Sequence, residues 1–184
     1  MQKIIIIGSA YPLRGGGITT FNERLAGAFQ QAGHEASIYS FSLQYPSIFF
    51  PGKSQYANRP APKNIKIKSV INSVNPLNWI KVGRQIAAEK PTLVLIRYWI
   101  PFMSPALGTI ARIIRKNTKT TVICIADNII PHEKRVADKI LTKYFIKPID
   151  GFITMSSKVT KDLLTMHPTA FYKQVVHPCT TILD

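Results

Sequence analysis

Ile4-Ile5-Ile6-Ile7-Gly8 is a continuous β-branched run ended by a glycine, the pattern of a parallel strand covered on both faces. After Gly15-Gly16-Gly17, the segment Ile18 to Ala32 places Phe21, Leu25, Ala28, Phe29 and Ala32 at helical spacing, and Gly33 supplies a C-terminal stop. Ala36 to Phe41 reads as a second strand. Together these form a strand, glycine loop, helix, strand unit whose crossover is right-handed, so the sheet is parallel from its first unit.

The same alternation continues outward. Ile65 to Lys68 is a short strand, and Pro76 to Glu89 a helix that Asn75 can cap with Pro76 at its first position. Leu93 to Ile96 is a buried strand, Ser104 to Lys116 a helix, Thr121 to Ile125 a strand and Lys134 to Lys147 a basic helix stopped by Pro148. Gly151 to Met155 is a strand, Ser157 to Met166 a helix, and Val175 with Val176 starts a last short strand. Buried strands alternating with amphipathic helices predict a single Rossmann-like, doubly wound α/β domain, with a mainly parallel sheet and helices on both faces. Ligands of such sheets bind beyond the carboxyl ends of the strands, at the topological switch point. The loops at 9–17, 43–64, 97–104, 126–133 and 156–157 are therefore the ones to read for chemistry.

Composition narrows the partners. The 184 residues are 46% hydrophobic and 18% charged, which excludes a disordered tail and gives enough chain for one well-buried core. Lysine and arginine outnumber aspartate and glutamate 24 to 9, a formal net charge of +15, so the long-range field favours an anionic partner. An acidic second domain that neutralises a basic half-protein is the competing account. Cys124 and Cys179 suggest neither a stapled secreted domain nor a zinc site, and a reducing cytoplasm is the default. Gly8 cuts the apolar run after Lys3 too short for a signal peptide. No stretch approaches the ~18 apolar residues of a membrane span, so membrane contact is expected only at the periphery.

Gly15, Gly16 and Gly17 lie between a strand and the first turn of a helix, where backbone amides and the helix dipole can face a phosphate; a plain tight turn is the alternative. The loop is not a Walker A motif, because Gly17 is followed by Ile18-Thr19-Thr20 rather than by lysine and a hydroxyl residue. It is not a dinucleotide fingerprint either: the second strand ends in Phe41-Ser42-Leu43-Gln44 without the acidic residue that binds a ribose. Arg14 can reach a phosphate with its planar fork or be a solvated surface residue. Arg97 and Tyr98 end an apolar strand on the ligand face, where Arg97 is either an acceptor contact or half of a buried ion pair.

Asp127-Asn128-Ile129-Ile130-Pro131-His132-Glu133 puts two carboxylates, an amide and an imidazole into one loop. Asp127 can accept bonds from sugar hydroxyls, Asn128 can donate and accept, and His132 can supply a proton near neutral pH. Glu133 also fits the first turn of the next helix, and Ser156 and Ser157 fit an N-cap. His34, His167 and His177 have no metal-ligand spacing. The stretch from Leu43 to Asn64 carries Tyr45, Phe49, Phe50, Tyr56, Lys53, Arg59 and Lys63 among four prolines. That mixture suits a membrane interface, a lipid-linked acceptor or single-stranded nucleic acid, or a loop packed on its own domain.

Gly15-Gly16, the run from Leu25-Ala26 through Gly33-His34-Glu35, the Asp127 to Glu133 loop and Asp150-Gly151-Phe152 leading to Ser156 together resemble the N-terminal domains of glycosyltransferase family 4. The likeness spans nearly the whole chain. It implies one half of a GT-B fold, in which two Rossmann-like domains face a cleft, the second holds a nucleotide-sugar donor, the first holds the acceptor, and transfer retains anomeric configuration. On this reading residues 1–184 are the acceptor-side domain, and the donor-binding domain with its two spaced glutamates lies outside the chain. The resemblance places Gly15, Gly16, Gly17 and Arg14 near the donor phosphates or sugar, and Arg97, Tyr98, Asn128, Lys53 and Arg59 toward the acceptor. Many members carry a histidine after the strand that corresponds to Thr121 to Ile125. Here Ala126-Asp127-Asn128 stands there, leaving Asp127 as the positional and His132 as the chemical substitute.

The expected partners are a UDP- or GDP-sugar and a glycan or lipid-linked acceptor, with no metal, no cofactor and no nucleic acid. The expected location is the cytoplasm, with peripheral contact to the inner face of the membrane. The glycine loop, the stretch from Leu43 to Asn64 (an insertion on the ligand face), Arg97 with Tyr98 and the Asp127 to His132 loop are expected to line one groove. Asp127→Ala is expected to lower turnover far more than stability. Two other classes remain: a non-catalytic sugar-nucleotide-binding or regulatory domain, and a basic nucleic-acid module using the Lys134 to Lys147 helix.

Overall fold

The computed structural model describes residues 1–14, 16–46, 56–57, 60–130 and 136–175. Seven strands, β1 (Lys3–Ile7), β2 (Glu35–Leu43), β3 (Lys66–Asn72), β4 (Leu93–Tyr98), β5 (Thr121–Ala126), β6 (Gly151–Thr154) and β7 (Tyr172–Gln174), alternate with five helices. The helices are α1 (Gly17–Gln31), α2 (Pro76–Ala88), α3 (Ser104–Asn117), α4 (Val136–Ile146) and α5 (Ser157–Met166), with a 3-10 turn at Pro101–Met103 ahead of α3. All strand pairs are parallel, in the order β3-β2-β1-β4-β5-β6-β7. The chain winds outward from β1 to β3 and then returns to lay β4 on the other side of β1. The β1/β4 boundary is therefore the switch point.

The four isoleucines of β1 divide between two cores. Ile5 and Ile7 join Tyr39, Ile86, Leu107 and Phe145 under α2, α3 and α4, and Ile6 joins Ala26, Ile38 and Leu95 under α1; Ile4, on the same face as Ile6, is buried at 1% exposure. A central strand with helices on both sides has no polar face, which is why the run is apolar throughout. Burying each such side chain stabilises the fold by roughly 1.5–3 kcal/mol. Gly33, at φ +81°, ends α1 in the left-handed conformation that glycine adopts without strain. Asn75 caps α2 by accepting from the N–H groups of Leu77 and Asn78 at 3.0 and 3.2 Å.

Several boundaries differ from the sequence reading. β3 runs to Asn72 rather than Lys68, because Ser69, Ile71 and Asn72 pair along β2 through a register irregularity. β4 ends in Arg97 and Tyr98, as in the sequence reading, and the two pair with Ile125 and Ala126. The last strand among the described residues is Tyr172–Gln174, ahead of the expected start at Val175: Phe152, Ile153 and Thr154 are paired with Tyr172, Lys173 and Gln174, so the polar edge strand went unread, and Val176 lies outside the described residues. Among the described residues, no helix is long and apolar enough to cross a membrane.

Candidate functional site

Gly8 ends β1 where α1 and β4 come closest. A Cβ built on it would lie 2.6 Å from Asn22 Nδ2 and 3.0 Å from Arg97 Cβ, so only glycine lets the three elements meet. The loop that follows is pinned from both sides. Asn22 Nδ2 donates to the Ser9 carbonyl at 2.9 Å, the Ala10 N–H to Ser40 Oγ at 3.0 Å and the Tyr11 N–H to Glu23 Oε1 at 2.9 Å. These contacts fix the approach to α1 and leave its start open. Gly16 at the N-cap is extended and offers no side-chain cap, and the first turn holds no acidic residue. The unbonded N–H groups of that turn carry the positive end of the helix dipole. A Cβ built at Gly16 or Gly17 meets nothing within 4 Å, so the backbone there is open to a ligand. Gly15 lies outside the described residues.

A cleft of about 340 Å³ opens at this point, lined by Ser9, Leu13, Arg14, Gly16, Gly17, Ile18, Thr19, Gln44, Tyr45 and Trp99. Arg14 is exposed. The insertion contributes at its ends: Tyr56 bridges to Leu13, and the Ala57 N–H donates to the Pro12 carbonyl at 2.8 Å. Lys53 and Arg59 lie outside the described residues, as do Phe49 and Phe50. Ser9, Gln44 and Trp99 were not singled out from the sequence, yet each stands within two residues of the end of β1, β2 or β4. That position was the available signal.

Arg97 takes the buried-ion-pair alternative that the sequence leaves open, and Tyr98 corrects the expectation of an acceptor contact. Strand alternation sends them to opposite faces, and both are buried. Arg97 is 2% exposed; its Nε and Nη2 donate to the two carboxylate oxygens of Asp127, and its guanidinium lies 4.3 Å from the centroid of the Phe21 ring. Its Nη1 has no hydrogen-bond partner. Tyr98 is fully buried, stacked on Phe145, and its hydroxyl bonds Ser104 Oγ at 2.8 Å and Thr142 Oγ1 at 3.1 Å. Burial pushes that phenol up to about 12 against the opposing pull of the two hydroxyl contacts. Tyr98 is a core residue that no acceptor reaches.

Asp127 is held by its N–H on the Tyr98 carbonyl at 2.9 Å, and its side chain is 22% exposed. Asn128 is half-buried beside it, while Ile129 anchors the loop in the core. His132 and Glu133 lie outside the described residues. Arg97, Tyr98 and Asp127 are not among the residues lining the 340 Å³ cleft. Among the described residues, the cleft lies at α1 and the Asp127 carboxylate stands one strand farther along the sheet.

The remaining candidates are structural. Ser156 caps α5 by accepting from the Val159 N–H at 3.3 Å. His34 Nδ1 accepts from the Gln2 N–H at 3.4 Å, far from the cleft. Burial raises the Cys124 thiol well above its usual range, which leaves it unreactive. Among the described residues no group of three or more His, Cys, Asp or Glu side chains is placed to hold a metal.

The sequence pattern of Glycosyltransferase Family 4 matches residues 15–179. No curated protein matches the chain. Among solved structures, UDP-GlcNAc 2-epimerase from Methanocaldococcus jannaschii aligns at TM-score 0.55 and 14% identity, over 90% of this chain and 42% of that one. An alpha-glucosyltransferase in complex with UDP and a 13-mer DNA aligns at TM-score 0.53 and 12% identity, over 92% of this chain and 42% of that one. Sucrose-phosphate synthase from Thermosynechococcus elongatus aligns at TM-score 0.52 and 12% identity, over 98% of this chain and 91% of that one. At such identities the likeness is one of fold, and the chain spans about 42% of the epimerase and the glucosyltransferase.

Proposed function

The chain belongs to Glycosyltransferase Family 4, and on that premise we propose that it is the N-terminal, acceptor-side domain of a two-domain enzyme that transfers a hexose from a UDP- or GDP-sugar to a glycan or lipid-linked acceptor. The observation that carries this reading is the uncapped start of α1, with Arg14 beside it, opening into a cleft at the β1/β4 switch point. A helix start of that kind is a ready anion site, and a sugar nucleotide presents a diphosphate. Gly15 to Gly17 and Arg14 meet the phosphates, and the leaving diphosphate is stabilised by groups already in place before reaction.

Asp127 serves as a fixed hydrogen-bond acceptor. The Arg97 fork occupies one side of each carboxylate oxygen, and the remaining lone pairs accept from a sugar hydroxyl. His132 acts as the proton donor or polar contact at the same sugar, and Asn128, Lys53 and Arg59 contact the acceptor, with Arg97 acting only through Asp127. The donor-gripping half is supplied by a second domain, so residues 1–184 alone bind donor weakly and transfer nothing. The enzyme works in the cytoplasm, with the basic insertion touching the inner face of the membrane.

Arg14→Ala in the full-length enzyme tests the carrying observation. Loss of one charge-assisted contact to phosphate, worth about 1.5–3 kcal/mol, raises the donor KM roughly 10- to 100-fold and leaves thermal stability unchanged. An unchanged donor KM would remove Arg14 and the α1 start from the donor site.

A further inference from the structure

We infer that Trp99, held by Tyr45 and flanked by Gln44 and Ser9, is the wall of a subsite for one pyranose ring of the acceptor, which makes it a specificity-determining residue for saccharide acceptors. This deepens the glycosyltransferase reading and rests on it.

Trp99 follows β4 directly, and its ring is fixed from neighbouring elements. The indole N–H donates to the Tyr45 hydroxyl at 2.7 Å, and the ring meets Phe41 edge-on at 6.0 Å and 86°. Tyr45 in turn stacks on Phe102 at 6.2 Å. Phe41 is fully buried in β2, so the clamp reaches into the core. The indole is half-buried and lines the cleft. A large aromatic face locked before a ligand arrives loses little entropy on binding.

The polar groups beside it suit a sugar. Ser9 Oγ donates to Gln44 Oε1 at 2.6 Å, which leaves the two Gln44 amide N–H groups for a ligand. A pyranose combines an apolar C–H face with a rim of hydroxyls, and an aromatic wall with an amide and a hydroxyl at its edge matches both. A nucleobase would also stack on an indole. At about 340 Å³, however, the cleft lies at the small end of the range for small-molecule sites; with its anion-binding end given to phosphate, it suits a single sugar ring rather than a whole sugar nucleotide.

The chain's two tryptophans give the test an internal reference. The Trp79 indole N–H is bonded to the Asn72 carbonyl at 2.7 Å, away from the cleft. In ¹H–¹⁵N spectra of the chain, titration with methyl β-D-glucopyranoside or methyl α-D-mannopyranoside is expected to move the Trp99 indole signal and the Ser9 and Gln44 amides, and to leave Trp79 in place. Trp99→Leu should abolish the shifts at Ser9 and Gln44, and Trp99→Phe should restore part of them; Gln44→Ala should weaken them with the ring intact. Glycosides that leave Trp99 unmoved would overturn the subsite. In the full-length enzyme, Trp99→Leu should raise the acceptor KM about tenfold more than the donor KM, and equal effects on both would overturn the assignment. Wild-type enzyme that transfers no sugar would instead sink the glycosyltransferase reading, while the glycoside titration still decides the subsite.

Discussion

Asp127→Ala should unfold this domain several degrees early. Arg97 is 2% exposed and its side chain is paired with Asp127 through both carboxylate oxygens. Without that carboxylate, a guanidinium stays buried with the Phe21 ring as its remaining attractive partner among the described residues. Breaking a buried pair by removing one partner destabilises by about 3–5 kcal/mol. Asp127 is 22% exposed, so water reaches part of the gap and the lower end of the range, ~3 kcal/mol, applies. In a domain of this size each kcal/mol moves Tm by roughly 2–4 °C, which gives a drop of about 6–12 °C. Adding Arg97→Met to Asp127→Ala removes both charges and should recover most of the loss, so the cycle of wild type, Asp127→Ala, Arg97→Met and the double variant should show strong coupling. Thermal melts of the four proteins measure it. An Asp127→Ala melt within ~2 °C of wild type, set against the expected shift, would refute the buried-pair account. The expectation from sequence is that Asp127→Ala lowers turnover far more than stability; with a stability loss of this size, lost turnover in that variant does not by itself assign a catalytic role.

Two further outcomes follow from packing and charge. Burial disfavours the Glu89 carboxylate, but hydrogen bonds from Lys68, Tyr39 and Lys3 outweigh it and hold the group at about 2, below its usual 4.5. A depressed folded-state value contributes stability above the unfolded value that is lost as pH falls, so the domain should weaken between about pH 4.5 and 2, and Glu89→Gln should flatten that part of the pH–stability profile; an unchanged profile would count against the network. Gly8→Ala would drive a methyl to 2.6 Å from Asn22 Nδ2, so denaturant melts should show a loss of about 1–3 kcal/mol, and a neutral result would mean α1 is free to shift.

The fold was legible because β1, α1 and Gly33 each carry a local signal that agrees with the topology. The isoleucine run of a two-sided strand, the helical spacing of Phe21, Leu25 and Phe29, and the left-handed glycine all point the same way. β7 was missed because Tyr172–Gln174 is exposed along its length and has no apolar pattern; only its pairing with β6 makes it a strand. At the site, position relative to strand ends picked out Arg14, Gly16 and Gly17, which do line the cleft. Position could not tell which way a strand-end side chain turns. Arg97 and Tyr98 are neighbours on one strand, so alternation sends them to opposite faces, and each finds a buried partner there: Asp127 for one, Ser104 and Thr142 for the other. Such pairings are nonlocal, and a sequence read segment by segment does not contain them.

The central claim is that residues 1–184 are the acceptor-side half of a sugar-transferring enzyme. Incubating the full-length protein with radiolabelled UDP- and GDP-hexoses and a panel of glycan and lipid-linked acceptors tests it most directly. The account predicts label in an acceptor product with the full-length protein and none with residues 1–184 alone. It would be contradicted by failure of every donor across those acceptors, by conversion of the sugar nucleotide to its epimer without transfer, or by transfer from the isolated domain at rates near those of the whole enzyme.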